Sequence, residues 1–159
     1  KLITEFGTQR ISDELMARLQ KYAKGELHVL LRRGLFFSHR DLNWVLDEYD
    51  KGNKFYLYTG RGPSGDTHIG HLVPWIMTKW LQDVFDVPLY FQLTDDEKFL
   101  FKDELSLEDT HRMAYENALD IIALGFDKKK TYLFTDTDYA KTLYPQGLRV
   151  AKKITASTV

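Results

Sequence analysis

At 159 residues, with 43% hydrophobic and 28% charged residues, the chain is long enough for one globular domain with a real core. A formal charge of −1 gives no support for nucleic-acid binding by this chain, and the absence of cysteine excludes disulfides and thiolate zinc sites. No apolar run approaches the roughly 20 residues that span a bilayer and no signal-peptide pattern stands at the start, so a reducing, cytoplasmic setting is expected.

Residues 1 to 11 mix polar and apolar types and give no assignment. Ser12-Asp13-Glu14 reads as a helix cap with acids in the first turn, continuing through Leu15, Leu19 and Tyr22 and ending at Gly25. Leu27 to Leu31 suggests a short helical turn. Arg32-Arg33-Gly34 then reads as a solvated basic turn rather than a phosphate site. Ser38 with Asp41 three residues on is expected to form a capping box. It would open a helix with Leu42, Val45, Leu46 and Tyr49 on one face, closed by Gly52-Asn53.

Phe55 to Thr59 is the first strong strand. The next helix carries Leu72, Val73, Ile76, Trp80, Leu81 and Val84 as a stripe suited to packing on a sheet. Pro74 requires that this helix begin near Gly70 or bend. Asp86-Val87-Pro88 turns into a second strand, Leu89 to Thr94, followed by a helix starting at Asp95. Glu108 to Leu124 is predicted as a helix with Ala114, Ala118, Ile121 and Ile122 inward and Gly125 at its end. Thr131 to Phe134 is a third strand, and the chain from Tyr139 is expected to be helical but broken by Pro145 and Gly147. Strands separated by crossover helices predict an α/β fold with a parallel sheet.

The organising stretch is Tyr58-Thr59-Gly60-Arg61-Gly62-Pro63-Ser64-Gly65-Asp66-Thr67-His68-Ile69-Gly70-His71, a strand, a glycine-rich turn and a helix start. Such a junction gathers unpaired N–H groups at the positive end of a helix dipole and binds anions. His68 and His71, three apart, share a face of the helix. As a metal pair they lack a third ligand at sensible spacing. As donors they suit charge building on the phosphates of a nucleotide attacked at its α-phosphate. In an open parallel sheet the ligand lies beyond the carboxyl ends of the strands, which predicts two rims, Tyr58 to Arg61 and Gln92 to Lys98. Gln92 and Thr94 should point the same way, with Glu97 about a turn past the strand end. Asp95-Asp96-Glu97 reads as acids in a helix's first turn rather than a metal cage.

His68-Ile69-Gly70-His71 resembles the HIGH signature of class I aminoacyl-tRNA synthetases. The longer string Tyr58 to Ser64, with Gly70-His71-Leu72, resembles the tryptophanyl-tRNA synthetases of eukaryotic and archaeal type. Leu31-Arg32-Arg33-Gly34 with Phe37-Ser38-His39-Arg40-Asp41 resembles that family's stretch before its first catalytic strand. The resemblance implies a Rossmann-like parallel sheet of the class I catalytic domain with an N-terminal helical extension. It divides the chain into residues 1–53, an extension packing on the catalytic domain, and 54–159, the first part of that domain with the start of its insertion.

It also implies ATP-dependent activation of tryptophan to tryptophanyl-adenylate and transfer to tRNA(Trp), with Mg²⁺ arriving on ATP rather than in a protein cage. A homodimer is implied for the full-length protein. By the same resemblance Gly60, Arg61, Gly62, His68, Gly70 and His71 line the ATP site, with His68, His71 and Lys98 catalytic. Tyr58 and Glu97 would hold the indole N–H, Gln92 would meet the amino acid's polar end, and Thr94 would lie nearby. The indole nitrogen is a donor only, so a phenol oxygen and a carboxylate suit it.

The chain departs from the family pattern at Thr67, where methionine is usual. Lys153-Ile154-Thr155-Ala156-Ser157 resembles the second, KMSKS-like signature, but only three strands precede it. The family's sheet has about five or six. The expectation is therefore a chain covering the first half or less of the enzyme. An HxGH-type adenylyltransferase and an inactive synthetase fragment serving as an interaction module are the rival readings.

Overall fold

In the computed structural model, which describes residues 2–155, the core is a three-stranded parallel sheet ordered β3-β4-β5. Its strands are β3 (Leu57–Arg61), β4 (Leu89–Leu93) and β5 (Thr131–Thr135), with Gly60 opposite Gln92 and Leu93 opposite Thr135. Helix α5 (Ile69–Phe85) connects β3 to β4, and α6 (Asp95–Phe101) with α7 (Leu107–Ala123) connects β4 to β5. Strand residues alternate between faces. Leu57, Leu89, Phe91, Leu93 and Leu133 pack on Trp75 of α5 and on Ala114 and Ile121 of α7. The opposite face carries a row of exposed tyrosines, with Tyr90 and Tyr132 stacked at 4.9 Å. This is the α/β, Rossmann-like arrangement expected, with helices of the crossovers on one face.

The N-terminal elements lie against the far side of α5. They are α1 (Leu2–Glu5), β1 (Gln9–Arg10), α2 (Asp13–Ala23), α3 (Val29–Arg32), β2 (Ser38–His39) and α4 (Leu42–Asp50). Leu15, Leu19, Leu31 and Leu46 share one core with Met77, Phe85 and Val87. Tyr49 and Phe55 edge-on, and Tyr22 at a tilt, close around Phe85 with centroids 5.1 to 5.3 Å from it. That ring cluster holds Phe55 out of the ladder, so β3 begins at Leu57 and runs further into the glycines than expected.

Several boundaries differ from the sequence reading. Ser38 and Asp41 form no capping box: Ser38–His39 pairs antiparallel with Gln9–Arg10, and Asp41 is left-handed at φ 60°. The Leu42 N–H donates instead to His39 Nδ1 at 3.1 Å. Helix α2 ends through Lys24 in the left-handed region rather than through Gly25. Pro74 lies inside α5, and the helix starts at Ile69. Ile122 is 62% exposed rather than inward, because Ala114, Asn117 and Ile121 take the buried stripe of α7. Helix α8 (Asp136–Ala151) runs unbroken through Pro145 and Gly147. Its start is fixed by Thr135, whose hydroxyl accepts the Asp138 N–H at 3.2 Å, so it begins before Tyr139. Of the KMSKS-like string, Lys153 lies in a turn after α8, while Ala156 and Ser157 are outside the described residues.

Candidate functional site at the carboxyl ends of the strands

The parallel ladder brings the ends of β3 and β4 side by side, and the Thr94 N–H donates to the Arg61 carbonyl at 3.1 Å. Gly60 permits this approach. A Cβ there would stand 2.8 Å from the backbone oxygen of Gln92.

Beyond Gly60 the chain turns over Arg61, which is only 7% exposed. Its guanidinium donates to Thr67 Oγ1 at 2.6 Å, Ser64 Oγ at 2.9 Å and the Gly65 carbonyl at 3.0 Å. It also lies 5.6 Å over the Trp75 ring. The sequence reading placed Arg61 among nucleotide-lining residues. In the structure its terminal nitrogens brace the glycine-rich turn through that turn's own oxygens, and its Nε is buried without a hydrogen-bond partner among the described residues. Helix α7 supplies the outer brace, which the sequence reading missed. Asn117, 4% exposed, accepts the Ser64 N–H at 3.1 Å, and Asp120 accepts the Thr67 hydroxyl at 2.5 Å.

His68 caps α5. Its Nδ1 accepts the Gly70 N–H at 3.1 Å, and His71 Nδ1 accepts the His68 N–H at 3.4 Å. With Nδ1 occupied as acceptor, each neutral ring carries its proton on Nε2. The two rings lie 3.9 Å apart and tilted by 33°, and His71 stacks in turn on Trp75 at 6.0 Å. His68, His71, Trp75 and Arg61 thus form one column, with spacing that follows the helical turn. His71 is held below the ordinary histidine pKa by burial first, then by the Arg61 and His68 charges. Gly70 leaves room for this column: a Cβ there would meet the His68 ring at 3.0 Å.

Between the rims the Tyr58 hydroxyl of β3 donates to Gln92 Oε1 of β4, and Gln92 Nε2 donates to Asp136 Oδ1 at 2.6 Å. Glu97 is exposed on the first turn of α6, and among the described residues no hydrogen bond joins it to Tyr58. Lys98 follows it, half-buried, its backbone N–H bonded to the Thr94 carbonyl at 3.1 Å. Thr94 Oγ1 is buried without a hydrogen-bond partner beneath Gly62, whose Cβ would lie 3.6 Å from it. A buried hydroxyl left unpaired at a strand end is what a polar ligand would satisfy.

Two aspartates missed by the sequence reading complete the rim. Asp95, fully buried, accepts the Thr137 N–H at 3.1 Å and lies 3.2 Å from His111 Nδ1. It also accepts the Thr137 hydroxyl, and so ties α6, α7 and α8 together. Burial opposes its ionisation, but the Thr137 and His111 bonds prevail and hold its pKa below the ordinary carboxylate value. Asp136 is 8% exposed. Burial pushes its carboxyl up to about 6, against the Gln92 amide and with help from Asp96 and Asp95. The available signal for Asp136 was positional: it directly follows the third strand, where such sheets place ligand-binding groups.

A raised carboxyl means the native protein keeps a proton that the unfolded chain loses between pH about 4 and 6, so this group's contribution to stability falls as pH rises through that window. Asp136→Asn removes the titration. The variant's urea midpoint, taken relative to the unaltered protein, is expected to improve between pH 4 and pH 7. An equal difference at both pH values would refute the assignment.

Among the described residues no three His, Cys, Asp or Glu side chains gather as a metal-holding group, and no helix is long and apolar enough to cross a membrane. No protein-family model matches the chain. It is 54% identical over 159 residues to a tryptophan–tRNA ligase of Sulfolobus acidocaldarius, covering 100% of this chain and 42% of that protein. It is 55% identical to the cytoplasmic tryptophan–tRNA ligase of Schizosaccharomyces pombe, covering 99% of this chain and 40% of that one. The chain thus spans about two fifths of the length of these curated relatives. Among solved structures, tryptophanyl-tRNA synthetase from Trypanosoma brucei superposes with a TM-score of 0.90 at 49% identity, over 99% of this chain and 47% of that one. The enzyme from Encephalitozoon cuniculi bound to tryptophan gives a TM-score of 0.90 at 43% identity, over 98% and 43%.

Proposed function

We propose that this chain, which belongs to the tryptophanyl-tRNA synthetase family, carries the tryptophan and ATP subsites of an enzyme that forms tryptophanyl-adenylate and charges tRNA(Trp). The carrying observation is the two-rim site: the adjacent rings of His68 and His71 beyond the end of β3, and the Tyr58–Gln92 bond that joins β3 to β4. The outward Nε2–H groups of the histidines face the phosphates, where they stabilise charge as pyrophosphate leaves. Gly60, Gly62 and Gly70 keep the turn open to the nucleotide while Arg61 braces it, and Lys98 meets the α-phosphate. Mg²⁺ arrives with ATP. Tyr58 and Gln92 supply two acceptor oxygens for the indole N–H, which leaves the exposed Glu97 for the substrate's ammonium group. In this reading residues 1–53 are an extension and 54–159 the first part of the catalytic domain. The natural protein acts in the cytoplasm, as a homodimer at its full length.

Tryptophan-dependent ATP–pyrophosphate exchange by the natural protein at full length tests the reading. Exchange with tryptophan is expected, and exchange with tyrosine instead, or with neither, overturns it. Glu97→Ala is expected to raise the tryptophan requirement about 10- to 100-fold, the size of a lost hydrogen bond to a charged group, with the ATP requirement nearly unchanged. Equal loss of both would make Glu97 a structural residue.

A further inference from the structure

An amide side chain can sit two ways round, with oxygen and nitrogen exchanged, and the choice decides whether it offers the ligand an acceptor or a donor. Tyr58 cannot make that choice for Gln92, because a phenol hydroxyl both donates and accepts. An ionised carboxylate only accepts. Asp136, ionised above pH about 6, places such an oxygen 2.6 Å from Gln92 Nε2, on the far side of the amide from Tyr58.

We infer that Asp136 is a positioning residue that fixes the Gln92 amide with its oxygen beside the Tyr58 hydroxyl, making an acceptor pair that selects a substrate bearing a ring N–H. The inference rests on the tryptophan reading above and adds the residue that makes the pocket choose that substrate.

The setting of Asp136 suits the role. It is 8% exposed, so water does not compete freely for its oxygens. Its neighbours on both sides are anchored. The Thr135 hydroxyl caps α8 by accepting the Asp138 N–H at 3.2 Å, and the Thr137 N–H donates to the fully buried Asp95 at 3.1 Å. The carboxylate is thereby held at one place beside β4, and the strand register places Gln92 opposite Phe134, close to the end of β5. Asp96 and Asp95 add negative charge near Asp136. That charge favours the amide's N–H end over its oxygen on this side, so the acidic surroundings reinforce the same orientation. Tyr58 lies on β3, Gln92 on β4 and Asp136 directly after β5, so the chain of bonds crosses the whole sheet.

The test compares binding of L-tryptophan with binding of its analogue carrying sulfur in place of the ring N–H. Calorimetry would be run on the natural protein at full length, unaltered and as Asp136→Ala and Asp136→Asn. Asp136→Ala is expected to cut the preference for tryptophan over the sulfur analogue about tenfold or more. Asp136→Asn, the same shape but an amide that can donate as well as accept, no longer fixes the Gln92 amide and is expected to lose preference as the alanine form does. In a Gln92→Leu background, Asp136→Ala should lower the preference no further, since the residue acts through Gln92. A purely structural role would weaken both ligands equally, and that result, or an unchanged preference in Asp136→Ala, overturns the inference. Full retention of the preference in Asp136→Asn overturns it as well. Should the alanine form not fold, Asp136→Ser removes the same oxygen and carries the same expectations. No tryptophan binding by the unaltered protein would overturn the tryptophan reading and the inference together. Tryptophan binding with any of the failures above overturns the inference alone.

Discussion

Replacing His71 with alanine is expected to slow tryptophan-dependent ATP–pyrophosphate exchange by about 10²- to 10³-fold, the size of a lost oxyanion donor, while changing tryptophan affinity by less than about twofold. The asymmetry follows from where the ring sits. His71 belongs to a ring column with His68, Trp75 and Arg61, whereas Tyr58 and Gln92 bond to each other across the ladder of β3 and β4. Its Nδ1 is occupied by the His68 N–H, so the proton on Nε2 is the group it can offer a phosphate. Packing against His68 and Trp75 sets the ring plane before any ligand arrives, and a preorganised donor loses little on reaction. Burial and the Arg61 charge keep the ring neutral into lower pH than an ordinary histidine, so the donor is the same species across the neutral range. Alanine also removes a helix cap, which costs about 0.5–2 kcal/mol of stability. Rate and urea midpoint must therefore both be measured. A rate loss that tracks stability alone, or tryptophan affinity that falls as far as the rate, would contradict the assignment.

The parts of this site that could be read from the sequence share a property: their role is fixed by local spacing. The strand, turn and helix around His68 and His71 follow from periodicity and glycine placement, and both imidazoles fall on one face because they are three apart. Gln92 and Thr94 follow from strand alternation. The missed parts depend on contacts between segments far apart in the chain. Asn117 and Asp120 reach the glycine-rich turn from α7, and nothing in the local pattern of that helix separates them from solvated polar residues. Asp95 looked like one acid among several in a helix's first turn, yet it is fully buried because Thr137 and His111 converge on it. The Ser38–Asp41 spacing is a sound capping signal on its own, but pairing of Ser38–His39 with Gln9–Arg10 claims that stretch first. Pro145 and Gly147 are helix breakers by propensity. Proline's fixed φ is nonetheless a helical one, and the loss is confined to its missing N–H and ring contacts. The bond from Tyr58 to Gln92 was not legible, since only the strand register reveals that Gln92 lies within its reach.

Gly60→Ala is expected to destabilise the protein by about 3 kcal/mol and to weaken tryptophan binding together with it. The added Cβ would stand 2.8 Å from the Gln92 carbonyl oxygen, closer than atoms of these types pack. The obstacle is backbone, not the end of a flexible side chain, so relief requires β3 and β4 to move apart. That separation strains the ladder that sets Gly60 opposite Gln92 and Arg61 opposite Leu93. Both sides of the site then suffer. Gln92 lies directly across from the intruding methyl group, and its bonds to Tyr58 and Asp136 depend on where its backbone stands. Arg61, the next residue, braces the turn that carries the histidines. The same substitution at Gly62 serves as a control. Its Cβ would meet only Thr94 Oγ1 at 3.6 Å, an ordinary contact, so Gly62→Ala is expected to cost less than about 1 kcal/mol. Urea melts of the two variants side by side, with tryptophan titrations below the transition, decide the matter. Equal costs at the two positions would show that the strands do not approach closely at Gly60, and that the glycine there serves the turn rather than the joint between the two rims.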